Sequence, residues 1–348
     1  MNPFEPANLS PLQKAPHACA LPYDLTWDDL WPILPGSCER ESDRTQVFSS
    51  HEKQGLNGGS NSCILTLCYP TGENQHHSET IFIKTTENPE KAEAQEYQSL
   101  SSYGVPTPHL LAVIHRGGAE IIVLEFLPTI GIDFRSSSET NSMLHLLAQL
   151  NSIQNPPNIF KPAHQYPRPE SIAPFDASVR FALTEMSHDR TLPVAIDVTL
   201  WFDAYHIAQQ ARKSMPLAVN HGEFFFQQVG WAHRGAARHL VIFDLETMSL
   251  RPRFTDVANV LYPLAVYTGR DQVELFGVYY DRLSQTNRLE LDVHEALREL
   301  KLLRVTDSCH SLPWLVDEAR RPDAMDISDV LAMTAGCLCA DLITLELL

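Results

Sequence analysis

The sequence has few basic residues and no long apolar run. It carries 26 Lys and Arg residues against 43 Asp and Glu residues, a formal net charge of −17 over 348 residues. Because nucleic acids and anionic membrane surfaces attract basic faces, this balance argues against both as partners. No stretch approaches the ~20 apolar residues that span a bilayer, and MNPFEPANLSPLQKAPHACA lacks the apolar core of an export signal. We therefore expect a cytoplasmic protein.

Cysteine and glycine patterns that mark several common protein classes are also missing. The seven cysteines are odd in number and scattered, and none forms a C-x-x-C pair, so neither a disulfide framework nor a zinc site is indicated. No G-x-S-x-G motif indicates a serine hydrolase. The stretch GLNGGSN lies between predicted strands, whereas the G-x-G-x-x-G motif of dinucleotide-binding folds follows the first strand.

Secondary-structure patterns divide the chain into three parts. Residues 1–40 form a Pro-rich N-terminal extension with a short helix predicted in TWDDLWPIL. Residues 41–127 are predicted as three strands, a helix and two further strands, and residues 128–348 are mainly helical. Between the two groups of helices we predict one strand, HLVIFDL. The fold class is therefore α+β, with a small antiparallel β lobe followed by a larger, mostly helical lobe.

A lysine near the end of an apolar strand is the first residue with a possible chemical role. An isolated lysine in IFIKTT would more often point from a sheet edge into solvent. Here Glu93 follows Lys84 at the start of the predicted helix, with Glu96 one turn further on. A strand lysine paired with a helix glutamate grips the α- and β-phosphates of ATP in kinases, so we predict this role for Lys84 and Glu93, with Glu96 as the alternative. The upstream turn fits a phosphate-covering loop through Gly58 and Gly59, although such a turn is a weak signal alone.

A polar pair and a later aspartate supply the groups that phosphoryl transfer needs. In NHGEFFFQQVGW, residues 220–231, Gln228 stands five positions after Glu223, and Asp244 closes the apolar stretch HLVIFD. In kinase-type phosphoryl transfer, one carboxylate accepts or orients the proton of the acceptor hydroxyl. A carboxamide holds a metal ion, and a second carboxylate at a strand end bridges Mg²⁺ to the β- and γ-phosphates. Glu223, Gln228 and Asp244 supply these groups in that order.

Taken in order, these motifs resemble those of the aminoglycoside phosphotransferase and choline kinase-like family, whose fold is related to that of the protein kinases. The family's catalytic loop H-G-D-x-x-x-x-N corresponds to HGEFFFQQ, and its metal-binding I-D-W/F-E strand corresponds to IFDLE. AEAQEYQSLSSYGVPTP is similar to the family's E-x-x-x-L-x-x-L…G-V-P-x-P segment, LLAQLNSI to its L-A-x-L-H, and FTDVANVLY, with Asp256, to its D-L-A. The resemblance runs from residue 45 to residue 265.

The resemblance implies a protein-kinase-like fold of two lobes, with residues 41–127 binding nucleotide and residues 128–348 carrying the catalytic loop and the acceptor-binding helices. It implies ATP and Mg²⁺ as cofactors and a small-molecule hydroxyl as acceptor, of the aminoglycoside, choline or amino-alcohol type. It further implies Glu223 as general base, His221 as a support for the loop, and Gln228 and Asp244 as metal ligands.

Other positions keep more than one interpretation. By the same resemblance, the peptide backbone of Glu125, Phe126 and Leu127 meets adenine. The three phenylalanines at 224–226 either pack in the core or line the acceptor pocket. Glu246 either assists metal binding or is a solvated carboxylate.

Several residues depart from the family pattern. Glu223 replaces the usual aspartate, Gln228 the usual asparagine, and Asn151 the histidine of L-A-x-L-H. These departures matter because a misplacement near 1 Å can cost on the order of a hundredfold in rate. Three hypotheses stay open: an active phosphotransferase with a shifted site, a nucleotide-binding pseudokinase, and an accidental match. The retained carboxylate and carboxamide favour the first.

Overall fold

The protein contains two compact units. The first comprises Met1–Leu146 and Phe225–Met248, and the second comprises Leu147–Phe224 and Ser249–Leu348. The computed structural model describes residues 21–33, 46–54, 60–72, 75–88, 93–162, 172–189, 192–287, 292–320 and 328–347. Gly58 and Gly59 of the predicted phosphate-covering turn lie outside these residues. Within the described ranges, no helix combines the length and the apolarity needed to cross a membrane.

A five-stranded antiparallel sheet forms the centre of the first unit. In chain order its strands are β1 (Gln46–Gln54), β2 (Ser60–Gly72), β3 (Gln75–Thr86), β4 (Leu110–Arg116) and β5 (Ala119–Glu125). In space the order is β1-β2-β3-β5-β4, with helix α2 (Ala94–Ser102) between β3 and β4 in the chain. Strand β3 is therefore central, and Lys84 lies opposite Ser62 on one side and Ile122 on the other.

The N-terminal strap, residues 21–33, covers one face of this sheet. It contains helix α1 (Trp27–Leu30), and its buried Leu25 and Leu30 belong to one hydrophobic cluster with sheet residues Cys63, Leu65, Leu67, Ile81, Ile83, Ile121 and Val123. Arg116 of β4 binds the strap, since its Nη2 donates to Oδ1 and Oδ2 of Asp29 at 3.1 and 2.9 Å. Because successive side chains of a strand point to opposite faces, Lys84 lies on the face that the strap leaves open.

A second, three-stranded sheet completes the first unit. It has the order β6-β8-β9, from β6 (Thr129–Ile130), β8 (Val229–Arg234) and β9 (Ala237–Ile242). Ile242 N donates to Pro106 O at 3.0 Å, which attaches the end of β9 to the turn before β4. Helix α3 (Ser137–Asn151) begins in the first unit and ends in the second.

The second unit is mainly helical around a small two-stranded sheet. Strand β7 (Leu217–Asn220) pairs in antiparallel fashion with β10 (Ser249–Pro252), with Ser249 opposite Asn220. The helices are α4 (Ile172–His188), α5 (Val198–Ser214), α6 (Thr255–Thr268), α7 (Gln272–Asn287), α8 (Val293–Ala319) and α9 (Ser328–Thr344). Helix α8 packs against α4, α5 and α9.

The predicted α+β class is confirmed, but the prediction of one strand between the helical groups is wrong. Four strands, β7 to β10, lie in that part of the chain. β7 and β10 have four residues each, which is too short to show an alternating pattern, and β10 ends on a proline. The β8 sequence VGWAHR mixes apolar, glycine and charged residues, so its pairing with β9 is visible only in three dimensions.

Candidate active site

Lys84 lies at the centre of a cluster of carboxylates in the first unit. It is 8% exposed, and its Nζ forms an ion pair with Oε1 of Glu93. The same nitrogen lies 2.7 Å from Oδ1 of Asp244 and 3.4 Å from Oε2 of Glu246. Burial alone would lower the pKa of Lys84, but the charges of Glu93 and Asp244 outweigh burial and hold this pKa above its ordinary value. Lys84 is therefore a permanently charged, fixed cation.

Glu93 is the partner that the structure selects for Lys84. It is 2% exposed and directly precedes α2, whose first turn is capped by Glu120 of β5. Oε1 of Glu120 accepts from Glu93 N at 2.9 Å and from Ala94 N at 3.2 Å. Burial raises the pKa of the Glu93 carboxyl, and the Lys84 charge opposes that rise. Glu96, the alternative partner, forms no ion pair with Lys84, and burial raises its pKa.

Asp244 follows β9 in an unusual backbone conformation. Its φ is +64°, in the left-handed region that residues other than glycine seldom adopt. Its side chain is 44% exposed, whereas that of Glu246 is 20% exposed. One carboxylate oxygen each of Glu93, Asp244 and Glu246 lie within 4.8 Å of one another. The cluster therefore presents oxygen ligands of the kind that Mg²⁺ prefers. Two of its residues, Asp244 and Glu246, are accessible to solvent.

Gln228 offers a further oxygen in the same unit. Its backbone oxygen accepts from Phe243 N at 3.0 Å, so it lies beside the residue that precedes Asp244. Its side-chain Oε1 is buried and has no hydrogen-bond partner among the described residues. A buried polar atom without a partner calls for an explanation such as an ion. The carboxamide of Gln228 and the carboxylates of Asp244 and Glu246 fit a Mg²⁺ site on this ground.

The sequence resemblance predicts that the backbone of Glu125–Leu127 contacts adenine. Backbone N–H and C=O groups of Phe126 and Leu127 have no hydrogen-bond partner within the described ranges. Leu127 is buried with Ala232 and Val241, and Phe243 packs against these three residues. Unpaired backbone groups beside an apolar cluster match the mixed polar and apolar character of small-molecule sites.

The side chain of Glu125 has a structural role, whereas its backbone is predicted to contact adenine. Its Oε2 accepts from His109 N and from Arg234 Nη2, both at 3.1 Å. Arg234 Nη2 also donates to Thr107 O at 2.7 Å. Glu125 therefore ties the β8–β9 hairpin to the β4–β5 part of the same unit, which fixes the walls around Leu127.

His221 and Glu223 belong to the second unit, where a buried aspartate shapes their loop. Asp256, in the first turn of α6, is 0% exposed, and its carboxylate accepts from His221 N at 2.6 Å and Gly222 N at 3.0 Å. Gly222 has a φ of +93°, which glycine adopts without strain. Burial raises the pKa of Asp256, against the charge of His221 and the two backbone donors. His221 is 1% exposed, whereas Glu223 is exposed.

Asn151, which departs from the sequence pattern that the chain resembles, also supports this loop. Its Nδ2 donates to Val219 O at 2.7 Å, and its Oδ1 accepts from the hydroxyl of Tyr279 at 2.8 Å. Asn151 is buried and joins α3, β7 and α7 of the second unit. The carboxamide thus forms hydrogen bonds next to the strand that leads into the loop.

The three phenylalanines after Glu223 divide between core and surface. Phe224 and Phe226 are 0% and 3% exposed, and Phe225 is 42% exposed. Phe226 packs edge-on against Phe134 with ring centroids 4.7 Å apart, in the first unit. The core interpretation is therefore right for Phe224 and Phe226 and wrong for Phe225.

Tyr97 is the residue near this site that the sequence did not single out. Its hydroxyl accepts from Asp244 N at 3.3 Å, and it is 2% exposed. It stands four positions after Glu93, in AEAQEYQSL, so the sequence alone predicts that it lies on the same helix face as Glu93. Its hydrogen-bond partner, Asp244, lies 147 residues away in the chain and cannot be predicted from the sequence.

The comparisons with known proteins identify the fold. No protein-family model matches the sequence, and no curated protein matches it. Among solved structures, a choline kinase from Cryptosporidium parvum Iowa II has a TM-score of 0.52 at 12% identity, covering 89% of this chain and 93% of that one. An aminoglycoside phosphotransferase from Alicyclobacillus acidocaldarius subsp. acidocaldarius DSM 446 has a TM-score of 0.50 at 13% identity, covering 86% and 92%. The predicted protein-kinase-like fold is therefore confirmed.

Proposed function

We propose that this protein is an ATP- and Mg²⁺-dependent phosphotransferase that moves the γ-phosphoryl group to a hydroxyl of a small molecule. The observation that carries the proposal is the buried Lys84–Glu93 ion pair beside the Asp244 carboxylate. A buried ion pair contributes little net stability against an apolar replacement, so its presence favours a functional reason. The protein-kinase-like fold supports a phosphate-binding role for the pair, although fold alone does not determine function.

On the nucleotide side, Lys84 binds the α- and β-phosphates and Glu93 holds the lysine in place. The unpaired backbone groups of Phe126 and Leu127 bind the adenine edge, and the apolar cluster around Leu127 supports the ring. Asp244, Glu246 and Gln228 hold Mg²⁺. When bound, Mg²⁺ would supply positive charge that offsets the negative charge developing on the phosphates during transfer. Gly58 and Gly59 stay predicted contacts of the phosphates.

On the acceptor side, Glu223 is the general base. Its carboxylate accepts the proton of the acceptor hydroxyl as the oxygen attacks the γ-phosphorus and the bond to the β-phosphate oxygen breaks. His221 and Gly222, held by Asp256, set the course of the loop that presents this carboxylate. The exposure of Glu223 in the second unit leaves the carboxylate accessible to an acceptor.

The acceptor class we propose is an amino alcohol, choline or an aminoglycoside. The net charge of −17 favours a cationic acceptor, because an acidic protein concentrates cations near its surface. The solved structures of similar fold include a choline kinase and an aminoglycoside phosphotransferase. A cytoplasmic location stays a prediction.

The test measures ATP binding by calorimetry with and without Mg²⁺, followed by ADP formation over a panel of choline, ethanolamine and aminoglycosides. Binding that Mg²⁺ strengthens and ADP formation that requires one acceptor are the expected results. Asp244→Asn should abolish productive metal binding while the protein stays folded. Tight binding without Mg²⁺, with no turnover for any acceptor, would instead establish the nucleotide-binding pseudokinase.

A further inference from the structure

The backbone at Asp244 adopts a left-handed conformation. Its φ of +64° lies where a Cβ crowds the backbone, so aspartate tolerates this conformation without favouring it. The side chain is 44% exposed and accepts from Nζ of Lys84 at 2.7 Å, a contact that fixes the carboxylate but not the backbone N–H. A metal ligand must nevertheless be oriented before the metal arrives, because catalytic geometry is held by the residues around the ligand.

Two side chains of one helix face hold this backbone. The N–H of Asp244 donates to the Tyr97 hydroxyl at 3.3 Å, and the N–H of Leu245 donates to Oε2 of Glu93 at 2.8 Å. Glu93, which directly precedes α2, and Tyr97 within α2 are four residues apart and therefore lie on the same side of the helix. We call this pair of contacts the α2 clamp.

The clamp is buried and anchored. Tyr97 and Glu93 are each 2% exposed. Within the described ranges, the Tyr97 hydroxyl has Asp244 N as its only hydrogen-bond partner. The start of α2 is itself fixed to β5 through the two bonds to Glu120.

We propose that Tyr97 is a positioning residue for the metal site: with Glu93, it sets the backbone of Asp244 so that the carboxylate is directed at Mg²⁺. This inference rests on the proposed function, because it assigns a task toward the metal that the function requires. The same helical turn thereby fixes both the phosphate-binding lysine, through Oε1 of Glu93, and the metal-binding aspartate, through Tyr97 and Oε2 of Glu93. Tyr97 itself touches neither metal nor nucleotide in this scheme.

The test is Tyr97→Phe, which removes one oxygen and keeps the ring. Mn²⁺ binding is followed by electron paramagnetic resonance in the presence of a non-hydrolysable ATP analogue. Because one hydrogen bond is lost, we expect Mn²⁺ affinity to fall by roughly 3- to 10-fold, with the Mg²⁺ concentration for half-maximal activity raised by the same factor. Binding of the analogue in EDTA should stay within about twofold of wild type, since the lysine contact is kept. Amide hydrogen exchange of a peptide containing Asp244 and Leu245 should become faster.

Tyr205→Phe is the matched control. Tyr205 is fully buried in the second unit, and its hydroxyl donates to Oδ1 of Asp176 at the same 3.3 Å and accepts from Gln209. This variant should lower the melting temperature at least as much as Tyr97→Phe does, while Mn²⁺ affinity stays at the wild-type value.

Two outcomes would overturn the inference, and they are distinguishable. If Tyr97→Phe lowers the melting temperature but leaves Mn²⁺ affinity and amide exchange unchanged, Tyr97 is only a structural residue and the proposed function is unaffected. If the wild-type protein binds no Mn²⁺ in the presence of the analogue, the proposed function fails and the role of Tyr97 fails with it.

Discussion

The ammonium of Lys84 lies 2.7 Å from Oδ1 of Asp244 while it is also paired with Glu93. One cation thus serves three carboxylates, because Glu246 lies 3.4 Å from the same nitrogen. Two of these carboxylates can turn to solvent, but Glu93 is 2% exposed and depends on Lys84 for its compensating charge. The ion pair therefore affects the stability of the protein.

Lys84→Met should destabilise the protein strongly. Breaking a buried ion pair leaves an uncompensated charge and costs about 3–5 kcal/mol. Adding Glu93→Gln should recover part of this loss, because the carboxamide is neutral and its oxygen can still accept from Leu245 N. Urea unfolding of wild type, both single variants and the double variant measures the coupling. Additive losses would show that the two side chains do not interact, and the exposed Lys161→Met serves as control for a lysine lost at the surface.

Glu223→Gln should lower kcat by at least ~10²-fold, because the carboxamide cannot accept a proton from the acceptor hydroxyl. Nucleotide affinity should stay within about twofold, since this substitution leaves the first unit intact. Steady-state kinetics and calorimetry make the measurement, with the exposed neighbour substitution Gln227→Ala as control. Turnover that stays at the wild-type rate would remove Glu223 from the role of base.

Shortening both unusual side chains tests whether their length matters. We expect Glu223→Asp combined with Gln228→Asn to lose roughly a hundredfold in rate, because each functional group retreats by one methylene. The nucleotide-bound melting temperature checks that the protein still folds and binds. A double variant that is as fast as wild type, or faster, would mean that the longer side chains are not geometrically required.

Acid should destabilise the second unit through His310 of α8. Burial, aided by the charge of Arg212, lowers the pKa of His310 to about 4, and its Nε2 lies 2.9 Å from Nε2 of Gln209, which requires a neutral acceptor nitrogen on the histidine. The unfolded chain takes up the proton at a higher pH than the folded protein does, so stability is complete above the unfolded pKa of about 6.5 and falls as pH drops toward 4. The loss reaches on the order of 2–3 kcal/mol.

His310→Gln should flatten this pH dependence, because the carboxamide can accept from Gln209 but does not titrate. Melting temperatures between pH 4.5 and 7.5 make the comparison, with the exposed His188→Gln as control. A variant whose melting temperature falls with acid as steeply as that of the wild type would contradict the role of His310.

The sequence predicted those parts of the site that short motifs encode. Lys84 and Glu93 could be paired because a strand and the following helix place them close together, and Asp244 could be found because an apolar strand ends on it. The sequence does not predict which glutamate pairs with Lys84, because Glu93 and Glu96 lie on one side of α2 and differ only in how deeply they are buried. The hydrogen bond from Asp244 N to the Tyr97 hydroxyl cannot be predicted from the sequence either, because it joins segments 147 residues apart.

The short strands and the role of Asn151 could not be predicted from the sequence for a different reason. β7 and β10 have too few residues for a pattern, and their pairing depends on where the helices of the second unit place them. Asn151 looked like a departure from the family's motif, but its contacts with Val219 and Tyr279 give it a place next to the loop. Such compensation depends on a partner from another helix, which a single sequence does not identify.

The strap also bears on how pieces of this protein behave in the laboratory. A polypeptide beginning at Gln46 would carry the complete five-stranded sheet but would expose the leucine and isoleucine face that Leu25 and Leu30 shield. Large exposed apolar patches promote self-association. Expression trials that begin the chain at Gln46 would therefore yield aggregates, because the solubility of the first unit depends on the thirteen residues of the strap.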